Sequence, residues 1–197
     1  MGDQSEAIQD LIDRQAIFDC LKRLARGMDR HDVELMRGSY HPDGHDDHGT
    51  FRGNAYEAID WLNGSEAGPG AHEAFFCTQH HLGNHLAEID GDTAHSETYY
   101  LFVGRLRDDS TLVTAGGRYL DRLERREDGV WRIAVRRVAM DWITKGGDAT
   151  NLTAPDDVFV PSTWDRTDIS YQRPMTVPSS ETFAAQVGGN LESEARR

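Results

Sequence analysis

The sequence lacks three features that would each point to a familiar class of protein. Only two cysteines, Cys20 and Cys77, occur in 197 residues, which is too few for a disulfide framework or a four-thiolate zinc site. No apolar run approaches the roughly 20 residues that a membrane-spanning helix needs. The first stretch, MGDQSEAIQDLIDRQ, is acidic and amphipathic, unlike a secretory signal peptide. We therefore expect a protein of the reducing cytoplasm.

Positive charge is also scarce in this chain. Its 21 lysines and arginines face 34 aspartates and glutamates, so the formal net charge is −13. Nucleic acids and anionic membranes would repel such a protein, and we predict that it binds neither. The length fits one domain with additional segments, and it allows a sizeable buried core.

The first part of the chain shows helical periodicity. Apolar residues recur at three- and four-residue steps over about residues 5–30, which predicts a long amphipathic helix. A shorter helix is predicted in DVELMRGSY, with Asp32 as its N-cap, and a third in NAYEAIDWLNG, capped by Asn54 and ended near Gly64. Between these two helices, the proline and glycines of HPDGHDDHGTFRG indicate a turn-rich stretch.

From Glu73 onward the hydrophobic period changes to two. Four long runs are predicted to be strands: FFCTQHHLGNHLAEI, TAHSETYYLFVGRL, TLVTAGGRYLDRLERR and VWRIAVRRVAMDWI. The segments DGD, RDDS and EDG between them are typical of hairpin turns. Helices followed by an antiparallel meander predict an α+β domain over residues 1–145. Residues 146–197 hold four of the six prolines and few aliphatic side chains, which predicts an arm or lid with a disordered end.

Five motifs relate the chain to a known family: LARGMDRHDVELM, HPDGHDDHG, TQHHLGNHLAEIDGDTAHSETYY, GGRYLDRLERREDGVWRIAVRR and DISYQRP. With them the chain resembles the SnoaL-like branch of the nuclear-transport-factor-2-like (NTF2-like) superfamily over about residues 6–145. The resemblance implies a cone-shaped half-barrel, in which a curved antiparallel sheet wraps the N-terminal helices. It leaves the activity open, because this fold includes scytalone dehydratase, bile acid 7α-dehydratase, hexachlorocyclohexane dehydrochlorinase, ketosteroid isomerases and non-catalytic dioxygenase β subunits.

One predicted strand carries three histidines. Because alternate side chains of a strand share a face, we expect two sets, namely Thr78, His80, Leu82, Asn84 and Leu86 on one face and Gln79, His81 and His85 on the other. Two leucines share the face of His80 and partly desolvate it. The spacing from His80 to Asn84 resembles the dehydratase and dehydrochlorinase branch, which implies that His80 is the general base. Asn84 would bind a substrate oxygen or satisfy a buried backbone group, and a surface or core role is the alternative for each histidine.

The same resemblance places Asp29, in GMDRHD at the end of the first helix, beside His80. A carboxylate that is bonded to one ring nitrogen fixes the tautomer of the ring and raises the basicity of the other nitrogen. The alternative is that Asp29 only helps to end the helix, although the helix dipole disfavours an acid at that end.

Histidines of the turn-rich stretch suggest a second polar group. We predict that His48 lies at the mouth of the pocket, where it could bind substrate as a second acid. A metal cluster of His48 with His45, Asp46 and Asp47 is the alternative, but such loops are more often solvated, and we predict no metal. His31, His41 and His72 are expected at the surface.

Aromatic and basic side chains complete the predicted substrate pocket. Trp61 would form an apolar wall. Tyr40, or alternatively Tyr56, would replace tyrosines that the dehydratases of the family carry near the aspartate. Either Arg136 or Arg137 points inward, and Arg136 is the candidate for binding a carboxylate or phenolate. The alternative is an ion pair with Asp121 or Asp141.

These residues predict a lyase without cofactor that acts on a hydrophobic, aromatic or polycyclic oxygenated small molecule. His80 would remove a proton, and water, halide or a small carbonyl fragment such as formaldehyde would leave. A ketosteroid-type isomerase, and a non-catalytic ligand-binding module or oxygenase β subunit, are the alternatives. The outward side chains of the sheet are too mixed for plain solvent surface, so we predict a homo-oligomer, trimer or dimer. Its anchors would be Phe159, Trp164 and Tyr171.

Overall fold

A computed structural model describes residues 2–66, 68–107, 111–146, 167 and 169–177. Its three α-helices are α1 (Gly2–Arg30), α2 (Val33–Arg37) and α3 (Ala55–Asn63). Both predicted caps are confirmed, because the side chain of Asp32 accepts a hydrogen bond from the backbone of Leu35, and that of Asn54 from Tyr56. Within the described part, no helix is both long and apolar enough to span a membrane.

Six strands form one sheet: β1 (Tyr40–Asp47), β2 (Arg52–Asn54), β3 (Phe75–Asp90), β4 (Thr93–Leu106), β5 (Leu112–Arg125) and β6 (Trp131–Lys145). Their order is β2–β1–β6–β5–β4–β3. The predicted meander of four long strands is confirmed. The sheet as a whole is mixed, because β1 runs parallel to β6 while every other neighbouring pair is antiparallel.

The prediction of a turn-rich stretch at HPDGHDDHGTFRG is wrong, because β1 and β2 occupy most of it. Its polar composition hides the strand. Asp46 and Asp47 are both buried, and each has partners that compensate its burial. The carboxylate of Asp46 accepts a hydrogen bond from the hydroxyl of Tyr40, and that of Asp47 forms an ion pair with Arg52 and a longer one with Arg137. These partners come together only when β1 adds to the edge of β6, so no local pattern reveals them.

The main core lies between the helices and the concave face of the sheet. The buried apolar side chains come from α1, α2, α3 and the central strands, and include Ile17, Leu21, Met36, Ile59, Leu123 and Ile133. Full burial of one such side chain stabilises the fold by roughly 1.5–3 kcal/mol. This packing fixes α1 across β3 and β6 and thereby places the C-terminal end of α1 against β3.

The convex face of the sheet is partly covered by residues 169–177. Met175 is buried there in a cluster with Leu120, Val135 and Ala139. The side chain of Arg137 donates hydrogen bonds of 3.3 Å to this same segment. Apart from residues 146 and 167, the rest of the predicted arm, with the expected anchors Phe159 and Trp164, lies outside the described residues.

Candidate active site

His80 and Asp29 meet where the end of α1 packs on β3. The Nδ1 atom of His80 lies 2.6 Å from Oδ1 of Asp29. The backbone N–H of His80 donates to the other carboxylate oxygen at 2.9 Å, and the hydroxyl of Thr78 donates to Oδ1 at 3.1 Å. An ionised carboxylate can only accept hydrogen bonds, so Nδ1 carries the proton. The lone pair of the imidazole is therefore on Nε2.

The surroundings of Asp29 keep its carboxylate ionised. Burial alone would raise its pKa, but the hydrogen bonds and charge of His80, together with the hydroxyl of Thr78, outweigh burial, and the pKa is lowered. The side chain of His80 is only 6% exposed and that of Asp29 15%. An ionised partner in such a sheltered place stabilises the imidazolium that forms when His80 takes a proton.

A cavity of about 440 Å³ opens between α1 and β3, and both members of the pair lie in its wall. Phe18, Ala25 and Leu82 contribute apolar surface to the same wall. A cavity of this size is within the range that binds small molecules. The arrangement therefore presents a general base to an open, partly apolar cavity.

A β-bulge interrupts β3 just after the base. Leu82 pairs with Tyr100 of β4, whereas His85 pairs with Thr98, so two residues of β3 stand opposite one residue of β4. The extra residue shifts the alternation of side chains by one position. Beyond Leu82, the faces predicted from strict alternation are therefore wrong.

Asn84 and His85 exchange their predicted faces as a result. Asn84 and Leu86 are exposed, while His85 is half-buried and stacks on the ring of Phe18 at 4.6 Å. Asn84 thus does not share the face of His80, and its predicted place in the pocket is wrong. His85 forms part of the packing between β3 and α1 instead.

A second histidine–aspartate pair lies at the end of β1. The Nδ1 atom of His48 is 3.3 Å from Oδ1 of Asp46, and the hydroxyl of Tyr40 donates to Oδ2 at 2.5 Å. Burial would raise the pKa of Asp46, but His48, the positive charge of Arg136 and the hydroxyl of Tyr40 lower it. The rings of His48 and Trp61 are in contact, with centroids 6.0 Å apart. Tyr40, His48 and Trp61 thus form one group, but none of them is in the described lining of the cavity that contains His80.

Arg136 points inward, and Arg137 points to the convex face. The guanidinium of Arg136 donates hydrogen bonds of 2.7 and 2.9 Å to the carboxylate of Asp121, and it lies over the ring of Tyr119. The alternative of an internal ion pair with Asp121 is confirmed. Because Asp121 already occupies the guanidinium and Arg136 is fully buried, the prediction that Arg136 binds a substrate anion is wrong.

His72 is a site residue that sequence reasoning missed. It was expected at the surface, but it is buried, with its ring centroid 6.5 Å from that of His80. Burial and the neighbouring His80 and His48 lower its pKa to about 3, so the ring is neutral. Its Nδ1 atom is buried without a hydrogen-bond partner among the described residues. The burial of His72 has no local signal in the sequence. The residue lies in a single 3₁₀ turn, Ala71–Ala74, which is too short to show a periodic pattern.

The other two histidines expected at the surface differ from each other. His31 is exposed as predicted. His41 is buried, and its Nε2 atom lies 3.0 Å from the backbone carbonyl oxygen of Glu124, so its predicted exposure is wrong.

The acidic and histidine-rich segment does not converge on one point. Asp46 faces the interior, while Asp47 pairs with Arg52 and the convex-face Arg137, and His45 is exposed. Across the residues that the structure describes, no group of three or more histidine, cysteine or acidic side chains is arranged to hold a metal ion.

The SnoaL-like domain model matches residues 9–137 of the sequence. The chain belongs to the SnoaL-like family. This match spans α1 and the strands up to β6, and so includes both members of the His80–Asp29 pair. A comparison with curated protein sequences gives no match.

Solved structures share the fold of this SnoaL-like protein. Hexachlorocyclohexane dehydrochlorinase LinA-type3 from Novosphingobium barchaimii is 20% identical, with a TM-score of 0.63 over 76% of this chain and 99% of that one. A protein from Novosphingobium aromaticivorans named for scytalone dehydratase is 15% identical, with a TM-score of 0.61 over 75% and 95%. A protein of unknown function from Mycobacterium tuberculosis is 21% identical, with a TM-score of 0.55 over 97% and 93%. At identities of 15–21%, these neighbours share the α+β cone fold of this chain.

Proposed function

We propose that the protein is a lyase that needs no cofactor, with His80 as the general base and Asp29 as its partner. The observation that carries this proposal is the 2.6 Å contact between Nδ1 of His80 and the carboxylate of Asp29. It leaves Nε2 of His80 without a hydrogen-bond partner among the described residues, in the wall of a cavity. A base that is oriented in this way is suited to proton abstraction.

The proposed reaction is an elimination. Nε2 of His80 takes a proton from carbon, the C–H electron pair forms a double bond, and water or halide leaves with the electrons of its bond. When a formaldehyde fragment is lost, the proton comes from a hydroxyl, the O–H pair forms the C=O bond, and the electrons of the broken C–C bond pass to the aromatic ring. The proton on His80 then passes to the ring carbon whose bond to the fragment was broken. Asp29 stabilises the imidazolium in each case.

A leaving oxygen needs a proton donor, and we assign this role to His48. It is held by Asp46, which in turn accepts from Tyr40. The buried ring of His72 lies 6.5 Å from that of His80, and the charge of His48 also helps to lower the pKa of His72, which supports a place for His48 near the base. General acid–base catalysis of this kind contributes roughly 10²–10⁴-fold to a rate.

The apolar part of the site supports the proposed substrate class. Phe18 and Leu82 line the cavity, and the ring of Phe102 lies 5.1 Å from that of His80. Such surfaces suit an aromatic or polycyclic molecule. The names of two structural neighbours, a dehydrochlorinase and a protein named for scytalone dehydratase, are also those of elimination enzymes, which supports the proposal.

The test is turnover of a panel of aromatic diols, ketosteroids and hydroxylated polyketides by the purified protein, followed by mass spectrometry without added cofactor. We expect loss of a small fragment. His80→Ala should lower kcat by about 10²–10⁴-fold. Asp29→Asn should lower kcat as well. His45→Ala, which alters an exposed histidine outside the lining of this cavity, is the matched control and should leave kcat unchanged.

Three results would contradict the proposal. Full turnover by a folded His80→Ala protein would exclude His80 as the base. A product with a shifted double bond and an unchanged mass would indicate an isomerase. Tight binding of panel members without any turnover would indicate a non-catalytic binding module.

A further inference from the structure

Three cationic side chains, Lys22, Arg26 and Arg30, line the cavity that contains the candidate base. Their spacing of four residues places them along one stripe of α1. Asp29 is the one carboxylate in the described lining of this cavity, and it is already bonded to His80. In a protein with a net charge of −13, the cavity wall is therefore locally positive.

These cations have little internal compensation. Arg26 makes no ion pair, hydrogen bond or ring contact within the part of the chain that the structure describes. Arg30 donates to the backbone carbonyl of Asp29 at 3.1 Å and not to a carboxylate. Lys22 lies 3.2 Å from Asp19, and both side chains are nearly half exposed, so this pair contributes little stability. The ammonium of Lys22 also lies 4.0 Å from the centroid of the Phe18 ring.

A second cavity, of about 590 Å³, differs from the first because the arginines in its wall are paired with carboxylates. Arg126 is paired with Asp43 at 2.7 Å and with Glu124 at 2.8 Å. Arg132 is paired with Asp128 at 2.6 Å. The positive side chains beside His80 are thus available to a ligand in a way that these arginines are not.

The remaining lining restricts what the ligand can be. Phe18, Ala25 and Leu82 form an apolar part of the same wall. A ligand that fits both parts has an apolar body and one anionic end. Arginine suits such an end, because its planar guanidinium donates paired hydrogen bonds to a carboxylate or phosphate.

We infer that the substrate of the proposed lyase is an amphipathic anion, whose carboxylate or phosphate group is bound by Arg26 with Lys22 and Arg30 beside it. Its apolar body lies against Phe18 and Leu82, which brings the reacting atoms to His80. The inference rests on the proposed function only in calling this ligand a substrate. Binding of the ligand at this site does not depend on turnover.

The test uses three probes with the same aromatic body: 2-naphthoate, 2-naphthyl phosphate and the neutral 2-naphthamide. Their affinities for the full chain are measured by titration calorimetry at low ionic strength. We expect at least one anion to bind about tenfold more tightly than the amide, and the preference to weaken as salt screens the cations. The order of the two anions shows whether the site prefers carboxylate or phosphate.

Variants of α1 locate the effect. Arg26→Gln should weaken binding of the preferred anion about tenfold and leave the amide unaffected, and Arg26→Lys should retain part of the affinity. Arg23→Gln removes the same charge from the same helix outside the cavity lining, and should bind all three probes as the unaltered protein does. Thermal unfolding followed by circular dichroism confirms that each variant is folded.

Equal affinities for the three probes, or no binding of any of them, would overturn the inference. Unchanged anion binding by folded Arg26→Gln would do the same. His80→Ala separates this inference from the proposed function, because it should lose turnover and keep the preference for anions. A protein that prefers anions but converts no panel member would contradict the lyase alone, whereas turnover that is indifferent to Arg26→Gln would contradict the anion site alone.

Discussion

Asp29 and His72 show how the surroundings of one side chain determine its charge. Both are sheltered from solvent and lie close to His80. Three hydrogen-bond donors lower the pKa of Asp29 despite its burial, whereas His72 has no such partner and its pKa is lowered to about 3. The site therefore keeps one neighbour of the base charged and the other neutral. A neutral ring beside His80 does not repel the imidazolium that forms during proton abstraction.

The buried His72 predicts a specific loss of stability in acid. Its pKa in the folded protein lies below that of an unfolded histidine, about 6.5. The unfolded chain therefore binds a proton between pH 6.5 and about 3 that the folded protein does not bind. The free energy of unfolding should fall by up to about 1.4 kcal/mol for each pH unit as the pH drops through this window.

Urea unfolding at several pH values measures this effect. His72→Gln removes the titrating group and keeps a polar side chain, so we expect a shallower decline in the free energy of unfolding between pH 6.5 and 4.5. His81→Gln, at an exposed position, serves as the control and should retain the full slope. Identical slopes for the unaltered protein and His72→Gln would show that His72 is not held neutral.

The sequence predicts some site residues and not others for physical reasons. His80 and Asp29 are found because their motifs resemble a family in which they are paired. Asn84 is misplaced because a bulge changes the phase of its strand. Arg136 is misassigned because its partner, Asp121, lies on another strand and is chosen by tertiary packing.

At the scale of whole elements, bulges give the sheet its bends. Besides the bulge of β3, the register between β5 and β6 shifts at Gly116–Gly117 and at Arg122–Leu123. Each extra residue bends its strand and increases the local twist, which lets the sheet curve around α1. Alternating hydrophobicity predicts the strands but not these shifts, because it assumes an uninterrupted period of two.

Gly117 marks a place where such a bulge brings two backbones together. A Cβ atom added to Gly117 would lie 2.1 Å from the carbonyl oxygen of Ala139, a backbone atom that cannot rotate away. Gly117→Ala should therefore lower the free energy of unfolding by about 1–3 kcal/mol or more. The midpoint of urea unfolding measures this change.

Gly83→Ala is the matched control for that prediction. A Cβ at Gly83, in the bulge of β3, would meet its nearest atoms at 3.6 Å, an ordinary contact. We expect its free energy of unfolding to stay within about 0.5 kcal/mol of the unaltered value. Equal stability of Gly117→Ala and Gly83→Ala would contradict the close approach of β5 and β6.

At the scale of the whole molecule, the two faces of the sheet have different tasks. The concave face holds the candidate site, and residues 169–177 cover part of the convex face. On the uncovered part, Leu101, Gly116 and Trp142 lie in one row across β4, β5 and β6. Gly116 leaves room for the indole of Trp142, and Leu101, Trp142 and the neighbouring Tyr99 are 41–47% exposed.

Part of the convex face was predictable from alternation, and its polar members agree with the structure. Gln79 and His81 are exposed, and Arg137 faces outward as one of the two predicted arginines. His85 was also expected there, but the bulge in β3 turns it toward α1. The apolar row was not predicted, since it depends on the register of three strands.

The exposed row supports the prediction of a homo-oligomer. An apolar patch on a sheet face is a common site of association between subunits, and Tyr171, one of the expected anchors, is itself exposed. We predict a trimer, with a dimer as the alternative, and light scattering of the full chain gives the mass that distinguishes them. Leu101→Asp should dissociate the assembly by burying an unpaired charge in the contact.

Two further proteins complete the experiment. Leu11→Asp places the same charge at an exposed leucine of α1, away from the sheet, and should keep the mass of the full chain. A chain that ends at Ala149 lacks the arm. If this chain assembles with fewer subunits than the full chain, the arm takes part in the contact between subunits. If the truncated chain keeps the same number of subunits, the exposed row of Leu101, Gly116 and Trp142 still explains the contact, because this row lies on β4, β5 and β6. A monomeric mass for both the full and the truncated chain would contradict the prediction.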